Sequence, residues 1–342
     1  NFPAVSAAWD IAQEPFLQSI EFIDFLKLRA GYGVTGNQGL IDEDRAAEEN
    51  RELFYIPMVR YNREGLFYYN GEYISGYGPY SNENPNLRWE TKVEYNIGLD
   101  YFLFNSRLGG SIDYYIRDTR DLLEEYAVPV PPNLVGVTYA NVMSMRNSGI
   151  ELSINAIPVQ SQRFIWNVNF NIDKRKNTVT SIQNDYYTLE YRNIGDVGAP
   201  GISAWTHRLE EGEPLGNIHT YQFLEIDSTG LWVFEDMNDD GRINDDDKTV
   251  VGNGIPDLYV NFTNTFRYNS DFGDFDLTIM LRGMFGHQII NAKRIWHDNP
   301  KFLPRNVFVT AMDTELWDDP EFSSYYVENG DFVKIDNITL GY

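Results

Sequence analysis

Between Thr91 and Thr119 the chain reads TKVEYNIGLDYFLFNSRLGGSIDYYIRDT, and this stretch constrains the fold more than any other. Val93, Tyr95, Ile97, Leu99 and Tyr101 share one parity, while Lys92, Glu94, Asn96 and Asp100 share the other. Successive side chains of a strand point to opposite faces, so this is a strand with one apolar and one polar side. After Asn105, Ser106 and Arg107 the alternation resumes, with Leu108, Ile112, Tyr114 and Ile116 against Ser111, Asp113, Tyr115 and Arg117. The pattern predicts a long antiparallel hairpin. Each arm runs about ten residues, longer than the five or six usual in globular sheets and close to the roughly nine to eleven that a tilted strand needs to cross a bilayer.

The same alternation recurs along the chain. It places Leu26, Leu28, Ala30, Tyr32 and Val34 against Lys27, Arg29, Gly31, Gly33 and Thr35. It aligns Ile150, Leu152, Ile154 and Ala156, then Phe164, Trp166, Val168, Phe170 and Ile172. A third hairpin carries Val260, Phe262, Phe266 and Tyr268 and returns through Leu277, Ile279 and Leu281, and the chain closes on FVKIDNITLGY. These segments amount to about eight candidate spanning strands. No strand is expected in Asn1–Asp24, and a short helix is expected over Glu43–Leu53. Pro129, Pro131 and Pro132 exclude a central strand from Arg120–Ser148, and 174–257 reads as a polar loop with brief strand-like pieces such as Thr220–Ile226. Connections are therefore long at 36–88, 120–148, 174–257 and 285–331, and short near 105, 160 and 271. Outer-membrane barrels join strands by short turns on one side and long loops on the other, an alternation that a soluble sandwich has no reason to obey. In a barrel the polar parity lines a watery lumen and the apolar parity meets lipid.

Composition narrows the partners. A chain that is 42% hydrophobic with a mean hydropathy of −0.41 folds. Its 23 Tyr and 21 Phe suit both strands and membrane interfaces. With no Cys and four scattered His, disulfide, thiolate, zinc and haem chemistry are excluded. A net charge of −24 repels nucleic acid and anionic surfaces and draws in hard cations such as Ca²⁺. No run of 18 apolar residues forms a transmembrane helix, and no charged-then-apolar leader opens the chain. Entry at Asn1 and exit within a strand lead us to expect a piece of a longer polypeptide.

One motif points to a bound ion. DMNDDGRINDDD, Asp236 to Asp247, fits the calcium-loop template, with Asp236, Asn238 and Asp240 at positions 1, 3 and 5 and Gly241 at the turn. The Arg242 carbonyl would add a ligand, Asn244 would act through water, and Asp247 replaces the usual Glu with a shorter reach; a solvated acidic turn is the plain alternative. Gly31, Gly33 and Gly36, with Glu52 beyond, spell a dinucleotide fingerprint, but the strand before it alternates where a Rossmann strand is apolar throughout. Sequons at Asn261 and Asn337 lie inside strands. No carboxylate pair is singled out by spacing, so we expect no catalytic residue and no enzyme. Tyr77, Tyr80, Trp205, Tyr221, Trp232 and Trp296 lie in the long loops, where rings could stack on sugars or peptide side chains or simply pack the loops together.

Several strings resemble a known family. PAVSAAWDIAQEPF, LKLRAGYGVTGNQ, NPNLRWETKVEYNIGLDYFLFNSRLGGSIDYYIRDTRDLL, NSGIELSINA, the D-x-N-x-D-G-x-I loop and FVKIDNITLGY resemble, in order and from end to end, the SusC/RagA family of TonB-dependent outer-membrane transporters. The resemblance implies a 22-stranded barrel around an internal plug, paired with a SusD-like surface lipoprotein as a lid and energised through TonB. Residues 1–342 would be part of the C-terminal half of that barrel, all-β and antiparallel, with the plug, TonB box and signal peptide elsewhere. Active import of oligosaccharides or peptides across the outer membrane of a Bacteroidota-type bacterium is the function it implies. A soluble, calcium-stabilised β adhesin or binding module is the alternative.

Overall fold

The computed structural model describes residues 2–37, 57–184 and 188–342. In chain order the strands are β1 (Ala4–Asp10), β2 (Ile23–Asn37), β3 (Tyr61–Tyr69), β4 (Glu72–Pro79), β5 (Glu90–Leu103), β6 (Leu108–Ala127), β7 (Val137–Gln160) and β8 (Phe164–Ser181). They continue with β9 (Tyr191–Asp196), β10 (Trp205–Glu210), β11 (Asn217–Tyr221), β12 (Phe223–Ile226), β13 (Trp232–Phe234) and β14 (Lys248–Asn253). The last are β15 (Leu258–Ser270), β16 (Gly273–Phe285), β17 (Gln288–Ile290), β18 (Val327–Asn329) and β19 (Phe332–Gly341), with a short helix α1 (Ala292–His297). Nine of them make one open sheet in the order β1-β2-β5-β6-β7-β8-β15-β16-β19, with every pairing antiparallel.

Register turns the alternation of single strands into two continuous faces. Leu28, Leu99, Ile112, Leu152, Ile172 and Val260 stand opposite one another across six strands. Behind them Asp100, Ser111, Ser153, Asn171, Asn261, Arg282 and Lys334 run in a row across seven. A slip of one residue in any pair would exchange the faces, so the pattern itself fixes the register. On the apolar face, rings gather near the short-turn end, with Phe266 stacked on Trp166 at 5.8 Å and Phe275 against Tyr342 at 5.0 Å. Tyr32 and Tyr95, at 5.1 Å, mark the other end of the same face. Two aromatic bands flanking an aliphatic one are what a wall meets at the two surfaces of a bilayer.

The structure corrects the strand count from eight to nine. The added strand is β1, whose Ala4, Ser6 and Ala8 are too small to mark a polar face; pairing with β2, which sets Trp9 opposite Leu28, makes the strand. The expected loop over Arg120–Ser148 shrinks to 128–136, since β6 runs 20 residues and β7 runs 24. At about 3.3 Å per residue these strands stand well clear of any bilayer. Above it their faces exchange character. Register shifts at Thr119 and Leu122, and Leu122, Met143, Met145 and Val179 form an apolar patch with Leu209, Ile194 and Leu215. Alternation read from the membrane level cannot follow such a shift.

The long connections fold as well. Residues 174–257, expected as a polar loop, contain the end of β8 and a four-stranded sheet ordered β14-β11-β10-β9. One face of this outer sheet supplies Ile194 and Leu209 to the patch above; Ile218 joins a second core with Ile202 from the β9–β10 loop and with Ile295, Phe322 and Tyr326 from the connection that ends at β18. In the connection between β2 and β5, β3 and β4 form a hairpin turning at Asn70 and Gly71, with φ of 51° and 88°. Both angles positive is the turn that suits a twisted hairpin, and Asn-Gly is its usual sequence. The helix expected over Glu43–Leu53 lies outside the described residues. The short turns stay as expected, at 104–107, 161–163 and 271–272.

Candidate functional site

The polar face of the large sheet is built from paired charges and amide ladders. Arg29 on β2 donates through Nε to Asp100 at 2.7 Å and through Nη2 to Asp113 at 2.9 Å, tying three strands together. Gly98 makes room for it, because a Cβ there would lie 2.3 Å from the Asp113 Oδ1 and 2.7 Å from the Arg29 Nη2. Along the same face Arg117 bonds Glu94 at 3.1 Å, and Asn155, Asn169 and Asn171 link at 2.6 and 2.7 Å. Both signs are interspersed with neutral amides, which makes a hydrated wall with no single strong field. On the opposite face Asn264 is buried between Val168 and Ile279, and its side-chain carbonyl accepts from the Trp166 indole at 3.0 Å.

The acidic segment forms a tight loop between β13 and β14. The Gly241 N–H bonds Asp236 at 2.8 Å, the Asp240 N–H bonds both Asp236 and Asn238, and the Arg242 N–H bonds Asp240. Positive φ at Asp239 (58°) and Gly241 (78°) lets the backbone fold round these side chains. Asp236, Asn238 and Asp240 therefore share one turn. Asp247 is fully buried and holds the N–H groups of Met237 and Asn244 at 3.0 and 2.8 Å, while the Asn244 side chain caps the following turn at Asp246. Among the described residues no three His, Asp or Glu side chains stand at metal-ligand spacing. Each carboxylate offers about four acceptor positions, so those bonded to the loop backbone keep lone pairs for a cation.

The structure separates the loop aromatics. Trp232 packs at the junction of the loops, edge-on to Phe223 and Tyr325, and its indole N–H bonds the Asp319 carbonyl at 2.9 Å. Tyr221 stacks on Phe234 at 5.0 Å. These two pack loop against loop. Tyr77 lies on β4 and Tyr80 just after it, both exposed, and Trp296 lies exposed on α1. Trp205 opens the edge of a cavity of about 510 Å³ over the solvated face of the outer sheet, with Tyr191, Arg208, His219, Asp245 and Lys248 among its walls.

Sequence reading missed Tyr191, Arg208, His219 and Lys248, because strands of five or six residues in a polar stretch give too little periodicity. Arg208 lies over the Tyr191 ring at 4.0 Å and Lys248 over Tyr221 at 4.8 Å, while Lys248 also bonds Asp245 at 2.7 Å. Burial, helped by Arg208 and Lys248, pushes the His219 imidazole down to about 4, so it is neutral at ordinary pH. Burial and the nearby Asp245 push the Tyr221 phenol up to about 12.

An open antiparallel sheet with one lipid-like face, one hydrated face, short turns at one end and folded loops at the other defines a segment of a β-barrel wall. Comparison with known proteins gives the family: the chain belongs to the TonB dependent receptor-like, beta-barrel family, which matches residues 1–342. It is 30% identical over 351 residues to the TonB-dependent receptor SusC of Bacteroides thetaiotaomicron, covering 100% of this chain and 34% of that protein. A TonB-dependent receptor of Formosa agariphila is 28% identical over 411 residues, with 100% of this chain and 36% of that protein covered. Among solved structures, the RagAB peptide transporter superposes with a TM-score of 0.76 at 21% identity, covering 99% of this chain and 36% of that one. The chain thus spans about a third of the length of these relatives, and its sheet has the TonB-dependent receptor barrel fold.

Proposed function

We infer that this chain is the wall and outer-loop segment of a TonB-dependent transporter of the SusC/RagA type, importing oligosaccharides or peptides across the outer membrane. The single observation that carries the reading is the two-faced register: a row of apolar residues backed by a row of polar ones across the same strands. A soluble adhesin would have to cover the apolar face, whereas a bilayer covers it without further protein. The other two-thirds of the polypeptide would close the barrel, fill the lumen and engage TonB. A SusD-like surface lipoprotein would dock on the folded loops at 57–88, 188–257 and 285–331, all at one end of the sheet. Gene deletion and complementation test import: growth on the oligosaccharide or peptide taken up should be lost with the gene and restored by it. Unimpaired growth on every such nutrient would contradict the reading.

The acidic loop would hold Ca²⁺ through Asp236, Asn238, Asp240, the Arg242 carbonyl and Asp247, with Asn244 acting through water, at about 2.3 to 2.6 Å. Its role would be to brace the outer sheet, since Lys248 directly follows the loop and opens β14. Calorimetry should give a calcium isotherm that Asp240→Ala abolishes. Identical traces for the two proteins would remove the site.

A further inference from the structure

Basic side chains gather at the top of the apolar face, on β6, β7 and β8. Above the row that holds Ile112, Leu152 and Ile172, the next row is Ala30, Ile97, Tyr114, Ile150, Lys174 and Leu258. The row after it is Tyr32, Tyr95, Ile116, Ser148 and Lys176, and the one above that is Val34, Val93, Asp118, Arg146 and Thr178. Successive rows lie about 7 Å apart. Lys174, Lys176 and Arg146 thus stand below, at and above the level of the Tyr32–Tyr95 pair. Asp118 accepts from the Arg146 Nε at 2.6 Å and from its Nη2 at 2.9 Å, and the Arg120 Nη2 lies 3.8 Å from the same carboxylate. The pair fixes the Arg146 guanidinium and leaves its other N–H groups for a second anion. Lys174 and Lys176 are exposed, and among the described residues neither has an ion-pair partner. Four cations against one carboxylate leave three positive charges uncompensated. The acids of these strands lie on the other parity, where Asp113, Glu151 and Asp173 form one row of the polar face. In a chain with 51 acidic residues against 27 basic ones, composition alone does not produce that separation.

We propose that this cluster binds the phosphate monoester of an outer-leaflet lipid, whose acyl chains lie along the aliphatic rows of β6, β7 and β8 beneath it. The level in the wall fixes the class of ligand, since a basic group at the top of a lipid-facing surface meets head groups. A phosphate monoester carries close to two negative charges, which matches three uncompensated cations better than a diester with one. The Arg146 fork suits phosphate oxygens, and each Lys adds a point charge on a stem that lies against apolar surface. Ile112, Leu152 and Ile172, directly below, give the acyl chains an aliphatic wall. A free anion would meet the same cations but make no use of that wall. The assignment rests on the membrane-spanning reading only for which face meets lipid. It can fail while spanning and import both stand, because binding is measured on the purified protein and needs no transport.

The test uses the full-length protein in detergent micelles and a fluorescent lipid A that carries phosphate monoesters. Lys174→Gln with Lys176→Gln keeps both stems and the Asp118–Arg146 pair, and should weaken binding about tenfold or more. Lys174→Arg with Lys176→Arg should retain it. Lys27→Gln with Lys92→Gln removes the same charge from the polar face and should leave binding unchanged. Dephosphorylated lipid A, and the diester phosphatidylglycerol, should each bind about tenfold more weakly than lipid A. Equal affinity of the wild type and the Lys174→Gln, Lys176→Gln protein would overturn the proposal, as would equal affinity for lipid A before and after dephosphorylation or for phosphatidylglycerol. Displacement of lipid A by millimolar inorganic phosphate would also overturn it, making the cluster a site for a free ion. An equal loss in the Lys27→Gln, Lys92→Gln protein would overturn it too, tracing binding to net charge rather than to this face.

Discussion

At the scale of single residues, the informative positions are those that go against their face. Asn264 sits on the apolar side, acceptable there because the Trp166 indole donates to it. Trp166→Phe should therefore cost about 1 to 3 kcal/mol in unfolding from lipid vesicles, the usual cost of a buried acceptor left bare. Adding Asn264→Leu should recover most of that loss, since the pair is then absent from both sides; no recovery would mean that the indole matters for packing alone. On the polar side Arg29 separates two carboxylates while all three remain partly solvated, with side chains 33%, 28% and 16% exposed. Arg29→Ala should cost about 1 to 2 kcal/mol, less than a fully buried pair would. His219 supplies a pH dependence. Its folded pKa, about 4, lies below the unfolded value of 6.5, so the unfolded chain binds the proton first and stability falls as pH drops from about 6.5 to about 4. The protection of the β11 amides, measured relative to the intrinsic exchange rate at each pH, should fall over that window by an amount equivalent to about 2 kcal/mol after solvent screening is allowed for. His219→Gln should flatten the profile, and an unchanged profile would place the acid sensitivity elsewhere.

At the scale of elements, the two parities of each strand should differ in the substitutions they tolerate. Leu26, Ile97, Ile112, Ile154, Val168 and Ile279 all lie on the apolar face in the observed register. Arg or Lys at the central members should cost about 2 to 4 kcal/mol of unfolding free energy in vesicles, and Asn96→Arg or Ser153→Arg on the other face should cost little. Equal tolerance would defeat the assignment. Eight of the nine wall strands were legible because Ile, Leu, Val and Phe alternate with Asn, Asp and Lys over lengths that dominate any local ambiguity. β1 was not, since Ala and Ser carry no strong preference for either face. The upper halves of β6 and β7 were hidden for a different reason: above the membrane level Leu122, Met143 and Met145 bring apolar side chains to the face that is polar below. The outer sheet is made of strands of only five or six residues whose buried face is completed by distant segments, such as Phe322 and Tyr326 against Ile218. The acidic loop was legible in outline, because its Asp, Asn and Gly spacing is dictated by one tight turn. That Asp247 points inward to hold the loop backbone depends on burial that no local pattern carries.

At the scale of the whole molecule, the central claim is that this sheet spans the outer membrane with its short turns in the periplasm and its folded loops outside. Sidedness follows from the alternation of connection lengths alone and does not depend on what is transported. Residues 1–342 contain no cysteine, so a label introduced among them is single once any cysteine elsewhere in the full-length protein is replaced. Asn70→Cys lies at the tip of the β3–β4 hairpin, and Ser161→Cys lies in the short turn between β7 and β8. In intact cells expressing the full-length protein, a membrane-impermeant maleimide should label Asn70→Cys at once and Ser161→Cys only after the outer membrane is permeabilised. Labelling of Ser161→Cys in intact cells, with Asn70→Cys protected, would invert the topology and contradict the account.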